Sequence, residues 1–466
     1  MNKRFTDPYT FEGRIPLKQA IPLGLQHVMA MFVGNLTPLI IVMGVCGMVG
    51  NDFEALRISL LQNAMIMAGV VTLIQLYAIG PVGGKVPVVM GTSSGFLGIM
   101  KSISTMMGGG VIGYGAILGA SVLGGLMEAV LGFFLKPLRH FFPPVVTGSV
   151  VMAIGLSLIG VGMGYYGGGT SSPDFGSSIN LLLGTFVLIV IIVAKHFGSR
   201  FVSSASVLIG IIAGYALASV FSIVLPTTGV DANGAEYTYS WVVQWNKVAS
   251  AGWIAVPKVL PVQPVFDIRA IVPMMIMYVV TAVETIGDIS AVQIGGFGRE
   301  ASDKELSGGV ICDGIGSSLA AVFGVLPNTS FSQNVGLVSM TKVVNRYAIS
   351  AGAAFLILCG FCPKLGAVVN IMPQSVLGGA AIMMFASIIV GGISLITNHG
   401  VDSRITTIVA VSVGLGYGIG TNSAILAGLH PYLNLVFGES GIVPTAVIAI
   451  LLNIVLPQEK KKEMAE

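Results

Sequence analysis

Apolar runs of about twenty residues follow one another almost without a break from residue 20 to residue 457. No other feature restricts the fold as much. A bilayer core about 30 Å thick is crossed by about 20 apolar residues in a helix, and backbone in lipid must satisfy its own polar groups. Of the 466 residues, 54% are hydrophobic and 9% are charged. A soluble domain is nearer a quarter charged, so this chain lacks the polar coat that water requires. It reads as one all-α integral membrane domain. Hydropathy gives about fourteen candidate spans: 20–46, 59–80, 86–104, 112–135, 144–166, 179–195, 202–225, 268–292, 308–326, 329–345, 348–370, 374–396, 404–420 and 437–456. Two of them, 86–104 and 329–345, are short and interrupted by Gly, Ser or Asn.

The remaining stretches divide the chain. Residues 1–19 form a polar N-terminal segment, and the membrane domain occupies 20–457. A first half of about 20–225 and a second of about 268–457 are separated by a polar loop, 226–267. A basic tail, 458–466, closes the chain. Placing the N-terminus inside puts seventeen of the 23 Lys and Arg residues on the cytoplasmic side, the 460–462 cluster among them. That bias predicts an even number of spans in the plasma membrane, with both termini cytoplasmic and loop 226–267 outside. Residues 1–18 lead into no short apolar h-region, so no cleaved signal peptide is expected.

Several function classes fall away. A net charge of +3, dispersed along the chain, does not suit nucleic acid. No H-E-x-x-H, G-x-S-x-G or phosphate-binding loop is present, and the five His (27, 140, 196, 399 and 430) are scattered. No enzyme, cofactor or metal site is expected. Cys359 and Cys362 form a C-x-x-C among Leu356, Ile357, Leu358 and Phe361, which reads as packed thiols. Cys46 and Cys312 also lie in apolar surroundings. A channel needs a continuous polar stripe, whereas polar groups here gather in a few segments. A carrier remains.

The chain also resembles itself. At an offset of 230, Pro143, Val146, Gly148, Ser157, Ile159 and Gly162 fall on Pro373, Val376, Gly378, Ser387, Ile389 and Gly392. Halves with seven spans each enter the membrane in opposite directions, which makes the repeat inverted. In such carriers the site lies near the midplane, where interrupted helices of the two halves meet. The interrupted third and tenth segments hold corresponding places.

Charged groups in lipid cost about 2.5–3.5 kcal/mol even on the lenient scale, so each asks for a reason. Glu284 and Asp288 lie four apart on one face of the eighth segment, Asp313 interrupts the ninth, and His27 the first. Glu284 is the expected substrate acceptor, with Asp288 or Asp313 serving cation coupling. Glu128, in the fourth segment, reads as a carboxyl tying helices together. The tenth segment carries Pro327-Asn328-Thr329-Ser330-Phe331-Ser332-Gln333-Asn334-Val335-Gly336, and the third carries Gly91-Thr92-Ser93-Ser94-Gly95-Phe96. Amide, hydroxyl and aromatic groups there suit a neutral heterocycle with N–H and C=O edges.

These residues resemble the nucleobase–ascorbate transporter family. Gln333-Asn334-Val335-Gly336-Leu337-Val338-Ser339-Met340-Thr341-Lys342 is similar to its signature Q/E/P-N-x-G-x-x-x-x-T-R/K/G. Glu284-Thr285-Ile286-Gly287-Asp288 resembles its eighth-helix motif, and His27 with Asn35 and Pro38 its first helix. The resemblance implies a 7+7 inverted repeat with a core domain (helices 1–4 and 8–11) and a gate domain (helices 5–7 and 12–14). It implies short antiparallel strands in helices 3 and 10, with substrate held between them. Glu284 and Gln333 then bind the base, assisted by Ser93, Ser94, Phe96, Ser332 and Asn334. Asp288, Asp313, His27 and Gly336 take supporting or coupling roles. Gln at the first signature position is similar to xanthine and uric acid permeases, whereas uracil carriers typically have Glu. Val335 departs from the Asn of many purine carriers, and Gly95 from the Asn that some xanthine carriers have in the third helix, which leaves xanthine, uric acid and other oxopurines open. The resemblance further implies a homodimer and symport with H⁺, Na⁺ being the alternative. An anion exchanger of the same fold would favour a basic residue where Glu284 stands.

Overall fold

A computed structural model describes residues 6–135, 141, 143–230, 236–397, 400–438 and 441–457. Lys3, Arg4, Lys136, Arg139, His140, His399 and the 458–466 tail with its 460–462 cluster lie outside the described residues. In chain order the main elements are α1 (Leu17–Val45), α2 (Glu54–Tyr77), strand β1 (Met90–Thr92), α3 (Leu97–Met106), α4 (Gly110–Phe133), α5 (Pro144–Tyr166), α6 (Ser178–Phe197) and α7 (Ser206–Val224). They continue with α8 (Ile268–Val292), α9 (Asp303–Val322), strand β2 (Asn328–Ser330), α10 (Ser332–Thr341), α11 (Arg346–Gly360), α12 (Gln374–Thr397), α13 (Ser403–Thr421) and α14 (Ile442–Val455). Among the described residues, eight of these helices are long and apolar enough to cross a membrane: α1, α2, α4–α8 and α12. The protein is a mostly helical multi-pass membrane protein.

The two interrupted segments each become a strand followed by a ten-residue helix, β1–α3 and β2–α10. Other expected spans are corrected. Segment 348–370 is not one helix: α11 and the helix Pro363–Asn370 meet at 84°. Cys362, which precedes Pro363, is extended, as the clash with a following proline ring favours. Segment 437–456 forms the shorter α14, preceded by a separate helix, Pro431–Gly438, and segment 202–225 begins with a separate turn, Arg200–Ser204. Loop 226–267 holds a hairpin, Thr228–Val230 with Glu236–Thr238, so β-structure is not confined to the interrupted segments.

Residues 251–267 strap the helix ends on the loop side. Ala255, Leu260 and Val265 donate backbone N–H groups to the carbonyls of Phe361, Val322 and Gly115 at 2.9–3.0 Å. Asn63 Nδ2 of α2 donates to the Lys258 carbonyl at 2.8 Å.

Helices pack in two sets. In the first, α2 lies on α11, α4 on α8 and α9, and α1 on α11; in the second, α5–α7 pack with α12–α14. The closest pair is α5 with α12, which run antiparallel. A Cβ at Gly148 or Gly155 would stand 2.6 Å from Ile396 or Ile389 respectively. The contact is its own image under the sequence offset. Gly148 meets Ile396 while Gly378 meets Tyr166, and Gly162 meets Ile382 while Gly392 meets Met152. Each partner in these pairs is 230 residues from its counterpart.

Candidate functional site

A strand of three residues at membrane depth leaves polar backbone groups to satisfy. β1 and β2 do so first by pairing antiparallel, with Met90 opposite Ser330, Gly91 opposite Thr329 and Thr92 opposite Asn328. A hydroxyl then closes the start of each strand. Thr72 Oγ1 of α2 accepts from the Met90 N–H at 2.9 Å. Ser317 Oγ of α9 accepts from the Asn328 N–H at 2.9 Å and donates to its carbonyl at 3.0 Å. Asn35 of α1 adds a third tie: its Oδ1 accepts from the Thr92 N–H at 2.8 Å and its Nδ2 donates to the Ala64 carbonyl at 3.3 Å.

The strands deliver α3 and α10 head to head. Neither helix has a side-chain N-cap hydrogen bond. In the first turns Leu97 and Asn334 donate their N–H groups to the carbonyls of Ser94 and Phe331 at 3.1 and 2.9 Å, and Ser332 and Gln333 at the start of α10 line the cleft. Between the two helices lies this narrow cleft, lined by Ser94, Gly95, Glu284, Thr329, Ser330, Ser332 and Gln333. Glu284 and Gln333, from different helices, thus share one cavity. Gly95 faces the acid: a Cβ there would stand 3.6 Å from Glu284 Oε2. That oxygen is buried and has no hydrogen-bond partner. Gly34 and Thr37 line the cleft from α1, where Pro38 supplies no N–H for the Gly34 carbonyl.

The other acids are already engaged. Asp288 Oδ2 accepts from Ser330 Oγ at 2.6 Å, and Ser332 Oγ donates to Asp288 Oδ1 at 2.9 Å. Asp313 Oδ2 accepts from the hydroxyls of Thr285 and, at 3.2 Å, Thr329. Asp288 and Asp313 therefore hold β2 and the start of α10 in place, one turn behind the cavity wall. His27 is buried on α1, and Asn334 Nδ2 donates to its carbonyl at 3.0 Å and lies 3.2 Å from its Nδ1. This pair joins α1 to α10.

Besides Asp288, Asp313 and His27, four residues singled out in the sequence do not line the cleft. Asn334 turns to His27 and is not a wall of the cleft. Ser93 Oγ instead accepts from the Gly95 N–H at 3.2 Å, shaping the turn into α3. Phe96 is buried against Tyr278, with ring centroids 4.6 Å apart, because the chain has already turned into α3 by that residue. Gly336 lies on an exposed face of α10, where an added Cβ would touch nothing, so close packing does not explain it. The aromatic walls are Phe331 and Phe385, with Ile154, Met384 and Ile388 beside them. Phe331 fits a slot made by two glycines: a Cβ at Gly34 or Gly91 would come within 2.7–2.8 Å of its ring. The repeat could have revealed part of this wall, because Ile154 and Met384 are one offset of 230 apart.

A family model described as a permease family matches residues 18–425. The chain is 33% identical over 469 residues to the xanthine permease XanP of Escherichia coli K12, a match covering 97% of this chain and 95% of that protein. It is 34% identical over 443 residues to the uric acid permease PucK of Bacillus subtilis 168, covering 93% and 95%. Among solved structures, the transmembrane domain of a cyanobacterial bicarbonate transporter, BicA, superposes with a TM-score of 0.56 at 14% identity, covering 94% of this chain and 97% of that one. The last likeness concerns the fold alone. A family match across most of the chain, with relatives a third identical over nearly their whole length, makes this protein a member of the nucleobase–ascorbate transporter family of permeases.

Proposed function

We propose that the protein imports an oxopurine nucleobase, xanthine or uric acid, across the plasma membrane by H⁺ symport with alternating access. The observation that carries this reading is the meeting of Glu284 and Gln333 in one cleft between two uncapped helix starts. An oxopurine presents alternating N–H and C=O groups along its edge. Glu284 accepts from ring N–H, Gln333 both donates and accepts, and N–H groups at the start of α10 donate to the carbonyls. Phe331 and Phe385 supply flat apolar walls. The xanthine and uric acid permeases among the relatives support the substrate class.

The finer arrangement is proposed on the same footing. The chain is a 7+7 inverted repeat in fourteen spans, with α1–α4 and α8–α11 as core and α5–α7 and α12–α14 as gate. The swapped contacts of α5 with α12 support it, as do the matching pairings of α2 with α11 and α4 with α9. The cleft lies where the sets meet: the core offers Ser94, Glu284 and Gln333, the gate Ile154, Phe385 and Ile388. Movement of one set against the other exposes the cleft to either side. Both termini are cytoplasmic, and the largely exposed apolar flanks of α6 and α7 provide surface for lipid and for the second copy of a homodimer.

One charge moving through 100 mV supplies about 2.3 kcal/mol, which sustains about 50-fold accumulation. In proteoliposomes, labelled xanthine should accumulate under an inward proton gradient and leak out after a protonophore is added. Uptake indifferent to both pH gradient and voltage would remove the mechanism, and a sodium-only response would change the ion. Competition by uric acid, uracil, guanine and hypoxanthine identifies the preferred base.

A further inference from the structure

Behind the substrate cleft, α4 buries an acid that the transport scheme above does not use. Glu128 is fully buried, and neither of its carboxyl oxygens has a hydrogen-bond partner. Small residues fix where it points. Gly124 lies against the Tyr278 ring, Gly125 against the Gly314 carbonyl and Gly132 against Ile311. Glu128 is one turn from each, on the same helix face, so its side chain enters the interface of α4 with α8 and α9. The charged neighbours it meets there are Asp313 and Glu284. Tyr278 stands beside it on α8, its hydroxyl directed to the Ser121 carbonyl at 3.3 Å. Cys312 of α9 turns away to the Val71 carbonyl of α2, and α3 brings only Lys101, which is exposed. Among the described residues, no cation faces Glu128.

An ionised carboxylate in such a place, with no cation and only the hydroxyls of Thr281 and Tyr278 beside it, costs on the order of several kcal/mol. A matching vacancy lies close by: Asp313 Oδ1 is also buried without a partner, while its Oδ2 is held by Thr285 and Thr329. The hydroxyls of Thr285 and Thr329 are 3.3 Å apart, and Thr329 lines the cleft. A polar route therefore runs from Asp313 to the substrate.

We propose that Glu128 is a second proton-binding site of the transporter, a carboxylic acid behind the cleft that exchanges its proton with Asp313. This deepens the proton-symport reading and rests on it. In the exchange the Glu128 O–H bond breaks, and the proton forms a new O–H bond at Asp313 Oδ1. Glu128 is left a carboxylate, and the pair carries one negative charge before and after. Protonation of Asp313 weakens its hold on Thr329, which couples the step to the cavity wall.

The test compares wild type, Glu128→Gln and Glu128→Asp in proteoliposomes with labelled xanthine. Under a gradient of about one pH unit the wild type should accumulate xanthine about tenfold. Glu128→Gln should retain xanthine binding and counterflow at zero gradient but lose that accumulation, and Glu128→Asp should restore part of it. Glu128→Gln accumulation that follows the pH gradient as wild type does would overturn the proposal. Infrared difference spectroscopy gives a readout independent of xanthine. A protonated-carboxyl stretch should be present in wild type, shifted in Glu128→Asp and absent in Glu128→Gln. A spectrum unchanged by Glu128→Asp overturns the assignment even if the Gln variant fails to fold. A wild type that neither binds xanthine nor senses the gradient defeats the functional reading instead, while the spectrum still decides whether Glu128 holds a proton.

Discussion

Glu284 and Gln333 differ from Asp288, Asp313 and Asn334 in lining the cleft. Asp288 and Asp313 have hydroxyl donors from β2 and its flanks, and Asn334 is spent on His27. Glu284 Oε2 has none. Glu284→Ala should thus abolish saturable xanthine uptake, since a hydrogen bond to a charged group contributes about 1.5–3 kcal/mol, roughly 10- to 150-fold in affinity. Protein amount at the membrane should be unchanged, and normal uptake would show the site to be misplaced. Gln333→Glu should move the competition profile away from xanthine, because an ionised carboxyl loses the amide donor. At this scale the sequence was informative where chemistry alone singles a residue out, as with an acid in an apolar run. It was silent on direction. Phe96 and Phe331 are both aromatics beside an interrupted segment, yet one is packed on Tyr278 and the other forms the wall. Only the fold distinguishes them.

Among elements, the paired strands depend on hydroxyls from outside their own segments. Ser317→Ala removes both the acceptor and the donor serving Asn328, and each buried group left unsatisfied costs about 1–3 kcal/mol. The expected result is a lower unfolding midpoint in detergent together with weaker xanthine binding; a midpoint equal to wild type would mean that β2 is held by something else. The entry to α8 behaves differently with pH. Asp267 accepts from the backbone N–H of Arg269 at 2.8 Å and pairs with its guanidinium, and these hydrogen bonds hold its carboxyl down at about 2. A depressed carboxyl contributes stability above its unfolded value of about 3.9 and loses it as pH falls through the folded one. The midpoint difference between wild type and Asp267→Ala should be flat near neutrality and shrink in acid below about pH 4. Hydropathy found the long helices because an apolar run is a local property. It missed the break at Cys362 and Pro363 because the chain stays apolar across it, from Leu356 to Val369.

At the scale of the whole molecule, the contacts of α5 with α12 map onto themselves under the 230-residue offset. Six identities within one helix pair were enough to suggest a repeat. The sequence could not show that Gly148 meets Ile396 just as Gly378 meets Tyr166, because those meetings cross between the halves. The pairing of β1 with β2 has the same cross-chain character and a practical result. Cutting the polypeptide within loop 226–267, between the hairpin and α8, leaves each fragment with one unpaired strand and half of the cleft. Either fragment made alone should insert but bind no xanthine. Producing both in one cell should restore uptake only when they reassociate, as a co-purification of the two pieces would reveal. Uptake by a lone fragment would mean that substrate recognition belongs to one ancestral unit, and that duplication added only a scaffold.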